Sequence, residues 1–324
     1  MRLNLPIIDR IANCQNFLSA GMGGGYDIFC GLPIYLELKS QFSQINFYLA
    51  NLSFSNILFS KSAQLNNRIK LTETLVGVQP ETEELSIYLP ELYLSRKLTE
   101  IYQEKITVWC FKITGAKPLL KNYQILIQHL NIDGTLLIDG GVDSLIRGDE
   151  KNKGTFIEDI ISLAVVHQLN HLKVRLLTCI GFGAERDITY AHIFQNLAHL
   201  TKVEGFLGSC SLINQMAVYQ RYEEIVLYTQ QQEGQDPSVI NSSIISAVRG
   251  EYGDYHLTQK TQGSQLWISP LMPIYWFFDL PILAQQNLYI EAIKDTDKVR
   301  DAIYALSPIL PTISKRKTED IIIF

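Results

Sequence analysis

The chain has 324 residues, 47% of them hydrophobic and 19% charged, with a net charge of −5 and an isoelectric point near 5.7. A chain of this size buries roughly three quarters of the surface that its unfolded form exposes, enough for one large core or two fused lobes. Its acidic balance lacks the basic footprint of a dedicated nucleic-acid binder, and five scattered cysteines without C-x-x-C spacing read as reduced thiols of a cytoplasmic protein.

In chain order, the N-terminal stretch carries Asp9 and Arg10 where a signal peptide needs an uninterrupted apolar run. The apolar run 16–20 reads as a strand ending at Gly21, residues 31–40 have helical spacing, and 45–50 reads as a second strand. Residues 61–104 are polar and show no clear strand; they are expected to form an excursion that covers a pocket, with a last helix starting at Pro90. The runs 105–113, 134–138 and 173–180 are rich in β-branched and apolar residues and predict three more strands. Residues 155–170 and 188–200 predict helices, the first opened by a Thr155–Glu158 capping box. The polar run 228–238 is expected to be a mobile loop, and Cys210 a buried thiol. Residues 266–283 are the most apolar segment but hold Pro270, Pro273, Asp279 and Pro281, so a buried irregular element is expected and not a bilayer span. Lys315-Arg316-Lys317 reads as a solvated tail. The alternation of strand and helix predicts an α/β fold: a doubly wound, mostly parallel, Rossmann-like sheet in a single domain, 1–324, with insertions.

Chemistry concentrates where strands end. Gly21, Gly23, Gly24 and Gly25, followed by Asp27, let backbone N–H groups approach a phosphate or carboxylate, although Tyr26 stands where G-x-G-x-x-G needs its last glycine. After the strand 134–138 come Asp139, Gly140, Gly141, Asp143 and Ser144, then Arg147, Asp149 and Glu150, with Glu158 and Asp159 at the next helix start. Crowded carboxylates repel one another, so one must be protonated, paired with Arg147, or bound to a cation; Mg²⁺ held by Asp139 and Asp143 is one consistent reading. A third loop, with Gly181, Gly183 and Glu185, follows the strand 173–180. In doubly wound sheets ligands bind at this carboxyl-terminal edge. Asp139, Asp143, Glu185 and His256 are therefore the candidate acid/base residues, and Asn51 and Ser53 candidate binders of hydroxyl or phosphate groups. Each has a structural alternative in capping or turn formation. No G-x-S-x-G elbow occurs, and His167 and His171, four residues apart, lack a third metal ligand in an H-E-x-x-H pattern.

Two resemblances attach to these residues. Gly140-Gly141-Val142-Asp143-Ser144 resembles the phosphate loop of PP-loop ATP pyrophosphatases, except that Asp139 stands where that pattern begins with serine. More broadly, Gly23–Asp27, Asp139–Ser144 with 147–150, Gly154-Thr155 with Glu158-Asp159, and 269–272 with 275–279 resemble the family known as domain of unknown function 1152, from Gly21 to about Asp279. Phe156 departs from the proline expected after Gly-Thr. This resemblance implies a single intact α/β domain and supplies no activity. The residues themselves point to a small nucleotide-like or sugar-phosphate ligand, hydrolysed by the clustered carboxylates or bound by a sensing or regulatory module. An interaction scaffold is the third reading, with the aromatic stretch 267–278 compatible with a homo-oligomer face. Neither nucleic acid nor membrane is expected as a partner.

Overall fold

The computed structural model describes residues 6–60, 66–83, 87–152, 154, 156–185 and 187–317. In chain order they form α1 (Pro6–Ile11), β1 (Asn16–Gly21), α2 (Asp27–Cys30), α3 (Leu32–Gln41), β2 (Asn46–Ser53), β3 (Arg68–Thr72), β4 (Leu75–Val78), α4 (Pro90–Tyr102), β5 (Val108–Lys112) and α5 (Ala116–Leu130). There follow β6 (Gly134–Gly140), α6 (Ile157–His167), β7 (Val174–Ile180), α7 (Tyr190–Lys202), β8 (Phe206–Ser211), α8 (Ala217–Gln230), α9 (Val239–Val248), β9 (Ile274–Asp279), α10 (Leu280–Gln286), α11 (Ile290–Ile293) and α12 (Val299–Leu306).

All nine strands lie in one sheet, ordered β3-β4-β5-β2-β1-β6-β7-β9-β8. The five consecutive strands β5, β2, β1, β6 and β7 are parallel, and β9 runs antiparallel between β7 and β8. The fold is thus α/β with an open, mostly parallel sheet, as the strand and helix rhythm predicts. Alternate strand residues face opposite layers. Leu18, Ala50, Leu137 and Leu177 join helices α5, α6 and α10–α12 in one core, while Phe17, Leu49, Leu136 and Leu176 join α1–α4, α8 and α9 in the other. Burial on both faces explains why these strands read as continuous apolar runs.

Three expectations about elements are corrected. Residues 68–78 are a β3–β4 hairpin that extends the sheet antiparallel beside β5; β3 is half-buried and polar, so an outer strand looked like a loop. The apolar segment near 266–283 contains the regular strand β9, inserted within the sheet, with Pro270 and Pro273 before it and Pro281 after it. Residues 228–230 complete α8, and Gln235 pins the turn beyond by accepting from the Leu89 N–H (3.1 Å) and donating to the Ile87 carbonyl (2.7 Å), so this run is tied to the start of α4. Thr155 of the expected capping box lies outside the described residues, as do 61–65 and 84–86 of the expected excursion. Phe156, where proline was expected, accepts the Ile160 N–H and packs on Tyr289, so α6 still starts there. No helix among the described residues is long and apolar enough to cross a membrane.

From β1 the chain builds β2 and β5 to one side, then crosses back to build β6 and β7 on the other. The topological switch point therefore lies between β1 and β6, where Gly21 pairs with Ile138. A crevice opens outside such strand ends, because the two loops leave in opposite directions.

Candidate functional site

Carboxylates from four segments meet at this switch point. Asp27 opens α2 after the β1 loop, Asp139 closes β6, Asp143 follows in a short turn, Asp159 sits in the first turn of α6, and Glu185 comes from the loop after β7. Asp139, Asp143 and Asp159 are buried, at 2%, 3% and 5% exposure, and Asp27 and Glu185 are half-buried. Asp27, Asp139 and Asp159 each present an oxygen within 4.8 Å of the others.

Local hydrogen bonds aim these groups. The Gly23 N–H donates to Asp27 Oδ2 (2.6 Å), the Ser144 N–H to Asp139 Oδ2 (3.1 Å), and the Val142 N–H to Glu185 Oε2 (2.7 Å). Asp143 and Glu185 hydrogen-bond to each other, which requires a proton on one of them. Burial, reinforced by mutual repulsion, pushes Asp27, Asp143, Asp159 and Glu185 well above the usual carboxylate range. Burial also raises Asp139, but hydrogen bonds from Ser144 limit it to about 6. Among the described residues, no Lys or Arg forms an ion pair with any of these five. The neighbouring thiols of Cys30 and Cys179 are buried and shifted upward, chiefly by desolvation, so they are poor nucleophiles.

Three of the glycines make room for this cluster. A Cβ on Gly23 would stand 2.7–2.9 Å from oxygens of Asp159 and Asp27, one on Gly140 2.8 Å from Asp27 Oδ1, and one on Gly141 2.8 Å from the Glu185 carboxylate. Gly21 packs against Asn51 and the backbone of α2, and Gly181 against Ile240. A Cβ on Gly183 would meet Met272 and Ser269 at ordinary contact distance, 3.8 and 3.9 Å. The N–H groups of Gly23, Val142 and Ser144 already meet carboxylates, so these three are not turned toward an anion.

Four more expectations change. Asn51 is fully buried and donates to the Gly25 carbonyl (2.8 Å) and to Glu91 Oε1 (3.0 Å), so it braces the first loop from beneath. Ser53 hydrogen-bonds to the same Glu91 carboxylate and accepts the Ser55 N–H. Arg147 points away from the cluster, its side chain 44% exposed and 4.0 Å from Asp149. His256 contacts Asp254 and Thr261 of its own loop and does not line the cavity beside the carboxylates. Residue Asp159, by contrast, belongs to the cluster but looked like a helix-start acid; its signal was a carboxylate on the buried side of an apolar helix.

Beside Asp27 opens a cavity of about 560 Å³. Gly24 and Gly25 turn the chain at φ +101° and +60° to form its floor. Phe54, 48% exposed, and Tyr88 supply aromatic walls, while Asp236, Ser238 and Lys260 close the far side. Lys260 pairs with Asp236 at 2.5 Å. A second cavity of about 600 Å³ opens at the amino-terminal end of β2 and β5, far from the carboxylates.

The fold and this crevice define a doubly wound α/β protein with an acid-lined site at its switch point. The profile of the family described as "Protein of unknown function (DUF1152)" matches residues 62–311, and the chain belongs to that family. The match includes Asp139, Asp143, Asp159 and Glu185 and begins after the β1 loop. No curated protein and no solved structure matches the chain.

Proposed function

We propose that the protein binds a nucleotide or phosphorylated-sugar ligand in the cavity beside Asp27 and hydrolyses it with the switch-point carboxylates. The observation that carries this reading is a set of acids, unmatched by ion pairs among the described residues, that reaches a cavity of ligand size through Asp27 while Asp139, Asp143 and Asp159 stay buried behind it. Asp139 holds and activates the attacking water, and the proton shared by Asp143 and Glu185 is delivered to the leaving group. Phe54 and Tyr88 give a planar ring a surface to pack on, and Lys260 can meet a phosphate at the outer end by exchanging its partner Asp236 for it. The free cysteines suit a cytoplasmic setting.

The test is a thermal-shift screen of nucleotides and sugar phosphates, each with product analysis. A ligand at a hundred times its dissociation constant adds about 2.7 kcal/mol of stability. A stabilising ligand that is consumed supports the hydrolase. A stabilising ligand recovered intact replaces it with a sensing role, and no shift with any ligand removes both.

A further inference from the structure

We propose that Asp27, Asp139 and Asp159 form a divalent-cation site, centred beside Gly23 and distinct from the Asp139–Asp143 pair suggested by the sequence. Three observations converge. One carboxylate oxygen from each residue lies within 4.8 Å of the other two. Oxygens bound to one Ca²⁺ at 2.3–2.6 Å stand up to about 5 Å apart, and those bound to Mg²⁺ at about 2.1 Å stand up to about 4.2 Å apart. Separations of at most 4.8 Å put the trio within reach of a single ion, the larger one with less closure than the smaller.

The second observation is Asp159 itself. It is 5% exposed, and its Oδ1 has no hydrogen-bond partner among the described residues. A buried carboxylate oxygen without a donor is costly unless a cation or proton meets it. The third is the space beside Gly23, where a Cβ would stand 2.7 Å from Asp159 Oδ1, 2.9 Å from its Oδ2 and 2.8 Å from Asp27 Oδ2. Two side chains thus direct oxygens into one small volume that only a glycine leaves open. Asp143 belongs to a different unit, since its carboxyl group hydrogen-bonds to Glu185.

This inference deepens the reading above, on which it rests for its purpose: a cation between three carboxylates and the cavity is what allows a phosphate to approach an acidic wall. Its test uses the metal alone. Titration of the full chain with Mn²⁺, followed by calorimetry and electron paramagnetic resonance, is expected to show one ion bound per chain, displaced by Mg²⁺ or Ca²⁺. Asp159→Asn and Gly23→Ala, each checked for folding by circular dichroism, should weaken binding by roughly tenfold or more, while Asp143→Asn stays within about threefold. Folded protein that binds none of the three ions overturns the site, as does Asp159→Asn protein that binds as the unsubstituted chain does. Equal losses in the Asp143 and Asp159 variants overturn the assignment of ligands. The two readings fail separately: Mn²⁺ binding without turnover of any nucleotide or sugar phosphate retains the site and removes the hydrolase, whereas turnover undiminished in a chelator does the reverse.

Discussion

Two groups of buried acids lie within a few residues of each other in sequence and receive opposite treatment. Glu150, 1% exposed, accepts from the Arg147 and Gly148 N–H groups (2.9 and 2.7 Å), from Asn196 (2.8 Å) and from Arg316 (2.7 Å). Asp149 beside it meets Arg316 at 2.9 Å. Burial works against the Glu150 carboxylate, yet its hydrogen bonds outweigh it and hold the group below its usual range. At the switch point the same desolvation acts on Asp143 and Asp159 with no cation of the described chain to oppose it, and both are pushed far upward. Burial alone does not decide which way a buried acid shifts. The supply of donors does.

The largest test of this contrast is catalytic. Asp139→Asn and Asp143→Asn should each lower turnover of any substrate found by about 10²–10⁴-fold while leaving the unfolding midpoint within a few degrees. Unchanged turnover in both would move the switch point to the structural side. The structural group should respond in the opposite sense: Arg316→Ala leaves Glu150 buried against three donors without its cation, and denaturant unfolding should show a loss of about 2 kcal/mol, less than a fully buried pair because Arg316 retains access to water. A neutral result would mean that the tail contributes nothing to holding Glu150.

Glu91 is an intermediate case. It is fully buried, burial raises it from 4.5 to about 7, and Asn51 and Ser53 only partly offset this. An acid raised in the folded state binds its proton more tightly there than in the unfolded chain. Its contribution is therefore complete below about 4.5 and is lost as pH climbs through about 7. Glu91→Gln keeps an acceptor for Asn51 and should stabilise the protein by about 1–2 kcal/mol at pH 8 and by almost nothing at pH 4. A difference independent of pH would show that Glu91 is not the titrating group. The smallest effect is expected from Asp159→Asn in the absence of divalent cations, where removing a repelled carboxylate should be neutral or raise stability by up to about 1 kcal/mol. A loss of more than that would mean that Asp159 is already well paired, contrary to its orphaned oxygen.

Much of this arrangement was legible from residues alone. The strands β1, β2, β5, β6 and β7 announced themselves as apolar runs because both of their faces are covered. β3 and β4 did not, since a short polar hairpin at the edge of a sheet carries little periodicity, and β8 did not, since its last residues are exposed and place Cys210 at the surface instead of in the core. Asp27, Asp139, Asp143 and Glu185 stood out as acids directly after strands, and the fold brings them together. Asp159 was counted among the crowded carboxylates but not singled out as a site residue, because acids in the first turn of a helix, here Glu158 and Asp159, are a common way to meet the helix dipole.

Pairing was the part that sequence distance concealed. Arg147 is the cation nearest to Asp143 along the chain, yet it faces solvent, while Arg316, expected in a solvated tail, crosses 166 positions to reach Glu150. By itself the sequence determined which segments become central strands and therefore which edge of the sheet collects the acids, because burial on two faces and the direction of the strands follow from local pattern. Only the tertiary structure decided which of those acids receive donors and which are left facing one another, because charge pairing depends on proximity in space, and the partners come from elements that share no local signal.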